Sequence, residues 1–165
     1  MDVVFILLGA WIHARTGDTL YTCAGLIVVT IIGLVFLVVL PTTAKLTGLY
    51  LVYAYAAAYV MFIGSVAANT NGYTKKIMVN AVVLMGYTCG NIVGPLIMTS
   101  NQAPLYVGGV MGCIGANVVV VFLTIGIRIW MARMNKKKAA NPVGRTDDNE
   151  DDMTDLVDPN YVYRL

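Results

Sequence analysis

Three long stretches of this chain, residues 20–40, 46–73 and 77–127, hold no charged residue at all. A helix needs roughly 20 mostly apolar residues to cross the ~30 Å hydrocarbon core of a bilayer. A water-soluble fold of 165 residues could not hide so much uncharged, apolar surface. The composition agrees: 58% of the residues are hydrophobic and 12% charged, where a soluble domain is about a quarter charged. In lipid, backbone polar groups must be satisfied internally, which leaves helices or closed barrels. The runs here are continuous rather than alternating, so the expected fold class is an all-α membrane protein.

Four full spans are expected, at 20–40, 46–68, 77–98 and 105–130, with a partial one at 3–13. The joints at 15–18, 41–43, 69–72 and 100–104 carry the Gly, Pro, Asn and Ser that punctuate helices. The partial span covers only about half the hydrocarbon at 1.5 Å per residue. It reads as the end of a helix begun upstream, with an interfacial or re-entrant helix as the alternative.

Orientation follows from the basic residues. Arg15 sits in the first joint, Lys75 and Lys76 follow the third, and Arg133, Lys136, Lys137, Lys138 and Arg145 follow the last span. On an alternating path these lie on one side, and the positive-inside rule makes that side, with the carboxy terminus, cytoplasmic. Residues 1–134 form the transmembrane region. Residues 135–165, rich in Asp, are expected to be a disordered cytoplasmic tail. The basic cluster 136–138 is either a lipid-headgroup contact or a stop-transfer flank.

The site chemistry is sparse. Cys23, Cys89 and Cys113 lie in separate apolar runs and His13 is the one histidine, so neither a metal site nor a cofactor site is expected. No phosphate-cradling loop or nucleophile–base pair supports an enzyme. No secretory signal peptide is expected either, since Met1-Asp2 is acidic where a signal would be basic. The lipid bilayer is the evident partner, and nucleic acid is not expected.

The spans differ in character. Residues 20–40 and 118–123 are bland Leu/Ile/Val sequence and read as peripheral. The two middle spans carry the polar groups, which at membrane depth usually face protein or a water-filled cavity. Tyr55 and Tyr59 on one, with Asn80, Tyr87 and Asn91 on the other, are the substrate-pathway candidates. Asn80, Asn91 and Asn117 could each hydrogen-bond a substrate or another helix, and interhelical glue is the favoured reading of the three. Gly86, Gly90 and Gly94 recur every four residues, a spacing that admits close helix packing. Pro95 should kink or loosen that helix, and Gly108 and Gly112 start a similar stripe on the last span. No Asp or Glu lies inside a full span, so an intramembrane carboxylate for proton coupling would have to lie outside this chain.

The stretch Asn69-Thr70-Asn71-Gly72-Tyr73-Thr74-Lys75-Lys76, then Gly86-Tyr87, Gly90-Asn91-Ile92-Val93-Gly94-Pro95 and Ala103-Pro104-Leu105-Tyr106, resembles the major facilitator superfamily. More narrowly, it is similar to the allantoate permease-like fungal anion:cation symporters. The aromatic, acidic terminus up to Tyr161-Val162-Tyr163-Arg164-Leu165 resembles that family too. The resemblance implies the end of helix eight and helices nine to twelve of a twelve-helix bundle. Helices nine and twelve would be peripheral, ten would line the cavity and eleven would flank it. It also implies alternating access, a plasma-membrane location and a small organic anion, such as a ureide or vitamin carboxylate, bound only together with the missing amino-terminal helices. Lys75 and Lys76 would form the joint before helix eleven. Arg15 and Asp18 would stand where the family repeats its helix-two-to-three motif, here degenerate. The alternative is a truncated, non-transporting membrane protein that pairs with or regulates a full transporter.

Overall fold

The computed structural model describes residues 2–41, 44–99, 101, 103, 106–140, 154–156, 158 and 161–165. The helices are α1 (Asp2–Thr16), α2 (Thr19–Val39), α3 (Lys45–Val52), α4 (Ala54–Ala68), α5 (Tyr73–Ile97) and α6 (Val107–Ala140). No strand occurs among the described residues. Four segments are long and apolar enough to cross a membrane: α2, α3 with α4 taken together, α5 and α6. Of the expected joints, Thr42, Thr43, Ser100, Gln102 and Pro104 lie outside the described residues, as do Leu105, the first residue of the last expected span, and 141–153 with most of the acidic tail.

The expected single span 46–68 is two helices meeting at Tyr53, where the Ala56 N–H bonds the Tyr53 carbonyl at 3.2 Å. That three-residue spacing tightens the turn as in a 3₁₀ helix. The first helix is longer than expected, but its 15 residues still rise only about 22 Å. It ends at Gly17, whose φ of 71° lets the chain turn at once into α2.

The bundle is organised around α2, which packs against α3 and α4 on one side and α6 on another. Leu26 and Ile27 of α2 are buried on Ala54, Ala57 and Ala58 of α4, with Phe5, Ile6 and Met61 closing the edge. The run of small residues on α4 permits this approach. Closer still is the α2–α3 crossing, where Gly33 and Gly48 face each other. A Cβ on Gly33 would lie 2.8 Å from the Gly48 carbonyl oxygen, and one on Gly48 would lie 2.8 Å from the Gly33 oxygen.

Within this part of the bundle the burial of the spans differs from the expected ranking. The helix read as peripheral is the most enveloped, and α5, read as interior, has no buried residue. The reason lies in the two faces of α2. Tyr21, Val28, Ile32, Val35 and Val39 form one exposed apolar stripe, while the opposite face carries the core. A uniformly apolar sequence conceals that division, because lipid and a protein core ask for the same residues. In α5 the exposed Ile77, Met78, Val82, Leu84 and Met85 form a surface too apolar for water.

Described residues at both ends of the tail have a place in the fold. Helix α6 continues to Ala140, and the described end of the chain folds back on the bundle. Tyr163 is buried with Leu20 and Met131, and Tyr161, Leu165, Phe62 and Met134 pack around them. Counting charges gave the wrong weight to a segment whose last five residues include two tyrosines, a valine and a leucine.

Candidate functional site: a tyrosine-lined groove

Tyr55, Ala58, Tyr59 and Phe62 share one face of α4 by their three- and four-residue spacing. With Ile27 of α2 and Asn117 and Val120 of α6 they line a groove of about 240 Å³. Apolar walls exclude water, and the few polar groups then set what binds and how it is oriented. The lining is almost wholly apolar, and the residues in it that carry side-chain polar atoms are Tyr55, Tyr59 and Asn117. The Asn117 Nδ2 donates to the Cys113 carbonyl at 2.8 Å, one turn back in α6, which fixes the direction of the amide. Tyr59 also stacks on Tyr87 of α5, with ring centroids 5.6 Å apart and planes 27° apart. Three of the five expected pathway residues, Tyr55, Tyr59 and Tyr87, therefore meet at one place.

Asn80 and Asn91 do not join them. They lie on the Tyr87 face of α5 by helical spacing but are exposed, with no hydrogen bond among the described residues. Among the described residues of this chain no helix packs on the expected glycine stripe: Gly86, Gly90 and Gly94 have nothing within 4 Å of an added Cβ. The α5–α6 contact is made instead just beyond the stripe, at the carboxy-terminal end of α5, where Gly109 receives Met98 and Gly112 meets Ile97 at 3.6 Å. Gly108 is exposed beside it. Pro95 ends α5 rather than kinking it: the helix stops at Ile97, and the Met98 N–H bonds the Pro95 carbonyl at 3.2 Å.

The joint residues collect at the end of the bundle where the basic residues lie. Asp18 receives the Arg128 guanidinium at 3.2 Å, and that guanidinium sits 4.5 Å from the centre of the Tyr21 ring. Arg15 stacks over Trp11 at 5.2 Å. Trp11, Tyr21 and Trp130 are all exposed there, as expected of amphipathic rings at a membrane interface. Lys76 is exposed, whereas Lys75 is ion-paired with Asp155 of the tail. A second cavity of about 710 Å³ opens here between α1 and α4, lined in part by His13, Ser65 and Asn69 and bounded by Arg164 and Leu165.

Asp155 is buried. Burial alone would raise its pKa, but the hydrogen bonds from Lys75 and Tyr163 and the Lys75 charge outweigh it and hold the carboxyl below its ordinary value. A depressed carboxylate stabilises the folded form above its ordinary titration range and loses that contribution as pH falls through the depressed value. Tail docking should therefore be intact at neutral pH and released on acidification below about pH 4. Tyrosine fluorescence during an acid titration should show this step, and Asp155→Asn should remove it.

Asn117, Phe62 and Ile27 were absent from the expected site, as were the residues that hold the tail. Spacing on α4 pointed to Phe62, but nothing in a single sequence says that α2 and α6 close the same groove.

Comparison with known proteins places these helices. The chain is 35% identical over 142 residues to the MFS-type transporter cnsL of Penicillium expansum, covering 83% of this chain and 30% of that protein. It is 31% identical over 128 residues to the allantoate permease of Saccharomyces cerevisiae, covering 74% and 24%. It is 26% identical over 168 residues to the thiamine pathway transporter THI73 of the same yeast, covering 99% and 32%. The chain thus spans between 24% and 32% of the length of these relatives. No family model and no solved structure matches it.

Proposed function

The chain belongs to the major facilitator type of fungal transporter and corresponds to the carboxy-terminal part of that fold, and from that premise we propose that it supplies one wall of the path through a longer permease for a small organic anion. The observation that carries this reading is the convergence of Tyr55, Tyr59 and Tyr87 with Asn117 at the groove. Phenol and amide groups donate to a carboxylate or ureide without the desolvation cost of a buried charge. An anion also needs a compensating charge, and no Lys or Arg lies in residues 77–127. That charge belongs to the helices that would complete the bundle. The bare face of α5, with its open glycine stripe, is where those helices would pack.

Alternating access follows as the mechanism: two bundles rock about a central site, which opens to one side and then the other. The basic end faces the cytoplasm by the positive-inside rule, and the plasma membrane is the expected location. The rival reading, a non-transporting partner of a full permease, draws on the same bare α5 face.

Uptake separates the two. Cells expressing the longer protein that contains this chain should accumulate a radiolabelled organic anion such as allantoate. Tyr59→Ala should reduce initial uptake about tenfold or more, the loss expected when a site built to hydrogen-bond its substrate is left unpaired. Val28→Ala, on the exposed stripe of α2, should leave it unchanged. Absence of uptake for every organic anion tried, with the protein present at the membrane, would favour the regulatory partner.

A further inference from the structure

The carboxyl terminus is held in a way that hydrophobic docking alone does not explain. Asn135 of α6 makes a two-point contact with the backbone of Tyr163: its Nδ2 donates to the carbonyl at 2.8 Å and its Oδ1 accepts from the N–H at 2.9 Å. Asn69, at the end of α4, does the same to the next residue, with 2.8 Å to the Arg164 carbonyl and 2.7 Å from the Arg164 N–H. In an extended chain, successive residues present their N–H and C=O to opposite edges. The two asparagines therefore grip both edges of one extended peptide, each replacing a neighbouring strand. Beyond them the Leu165 carbonyl accepts from the Thr19 N–H at the start of α2, at 3.0 Å. Side chains add selectivity to this backbone grip. Tyr163 is buried, its ring 5.6 Å from that of Trp130, and its hydroxyl donates to Asp155 at 2.9 Å.

We propose that the basic end of the bundle is a peptide-binding groove whose ligand is the chain's own carboxyl terminus, and that the docked terminus is a detachable latch joining α2, α4, α5 and α6. Backbone contacts supply affinity and a pocket for an alternate side chain supplies specificity, the division of labour seen when an extended peptide adds to a sheet edge. The latch reaches α5 through the Lys75–Asp155 ion pair and α6 through Lys138, whose ammonium donates to the Asp158 carbonyl at 2.8 Å. Since α5 has no buried residue, this tie bears directly on where its basic end sits. The proposal does not rest on the transport reading and can be tested without it.

Carboxypeptidase trimming of the full chain in lipid nanodiscs, followed by mass spectrometry, tests it. A clamped terminus loses Leu165 and Arg164 slowly. Asn69→Ala and Asn135→Ala should each speed trimming about tenfold or more, because each removes two backbone hydrogen bonds. Val162→Ala, at an exposed position beside buried Tyr163, should not. On the unsubstituted chain, excess free peptide Tyr-Val-Tyr-Arg-Leu should accelerate trimming by displacing the terminus, and the reversed sequence should not. This arm needs no variant to fold. Trimming of the unsubstituted chain at the rate of the free peptide would overturn the proposal, as would equal effects of the forward and reversed peptides. So would unaltered trimming in both asparagine variants.

Discussion

Gly33→Leu abolishes the folded bundle, and Gly33→Ala lowers its stability by about 1–3 kcal/mol, the cost of overpacking a close contact. The atoms that an added methyl meets are a carbonyl oxygen and an amide nitrogen of α3, both at 2.8 Å, and not the ends of flexible side chains. They can retreat only if the whole helix moves. Moving it also separates Gly48 from Phe36 and Leu37, so the loss spreads along the crossing. The internal control is Gly25 on the same helix. Nothing lies within 4 Å of its would-be Cβ, so Gly25→Ala should be neutral or stabilising by up to about 1 kcal/mol through helix propensity alone. Thermal unfolding in detergent micelles distinguishes the two. Equal midpoints for Gly33→Ala and Gly25→Ala would mean the helices are not in contact there.

Tyr163→Ala should cost about 3 kcal/mol or more, the range for removing a large buried aromatic side chain. Tyr163 is 3% exposed although it stands two residues from the end of the chain. The truncation opens a void against Leu20 and Met131 and removes a hydrogen bond to buried Asp155. Tyr163→Phe keeps the packing and should cost only about 1 kcal/mol. Tyr163 should stay protonated throughout, because burial, and then its bond to the Asp155 carboxylate, push its pKa up. Thermal midpoints in the order unsubstituted, Phe, Ala are expected. A Tyr163→Ala chain as stable as the unsubstituted one would show that the terminus contributes nothing to the fold.

The sequence made the spans legible because uncharged runs and turn residues act locally. Asn69, Thr70 and Gly72 ended a helix whatever lay around them. Likewise the tyrosines of α4 were legible as one face, since helical spacing is a property of the segment itself. What could not be read was which surface each helix turns toward a neighbour. Leu26 and Val28 are chemically alike, yet one is buried and the other exposed. Gly33 lies in a bland Leu/Ile/Val run, and its partner Gly48 lies on a different helix. In the sequence Asn69 is a joint residue and Asn135 the first residue of the expected tail. Their joint grip on one peptide depends on the fold bringing positions 66 residues apart to opposite sides of it.

The central claim is that the groove beside Tyr59 belongs to a substrate path. The most direct measurement is thiol labelling of Val120→Cys, which lines the same groove without being a proposed substrate contact, in the longer protein, in sealed membrane vesicles with Cys23, Cys89 and Cys113 replaced by serine. A small water-soluble maleimide should label position 120, and a transported organic anion should slow that labelling about tenfold, while Tyr21→Cys on the outer stripe of α2 should show no protection. If position 120 is unreactive, or labels at the same rate with and without every anion tried, the groove is closed packing and the account of it as a transport path is contradicted.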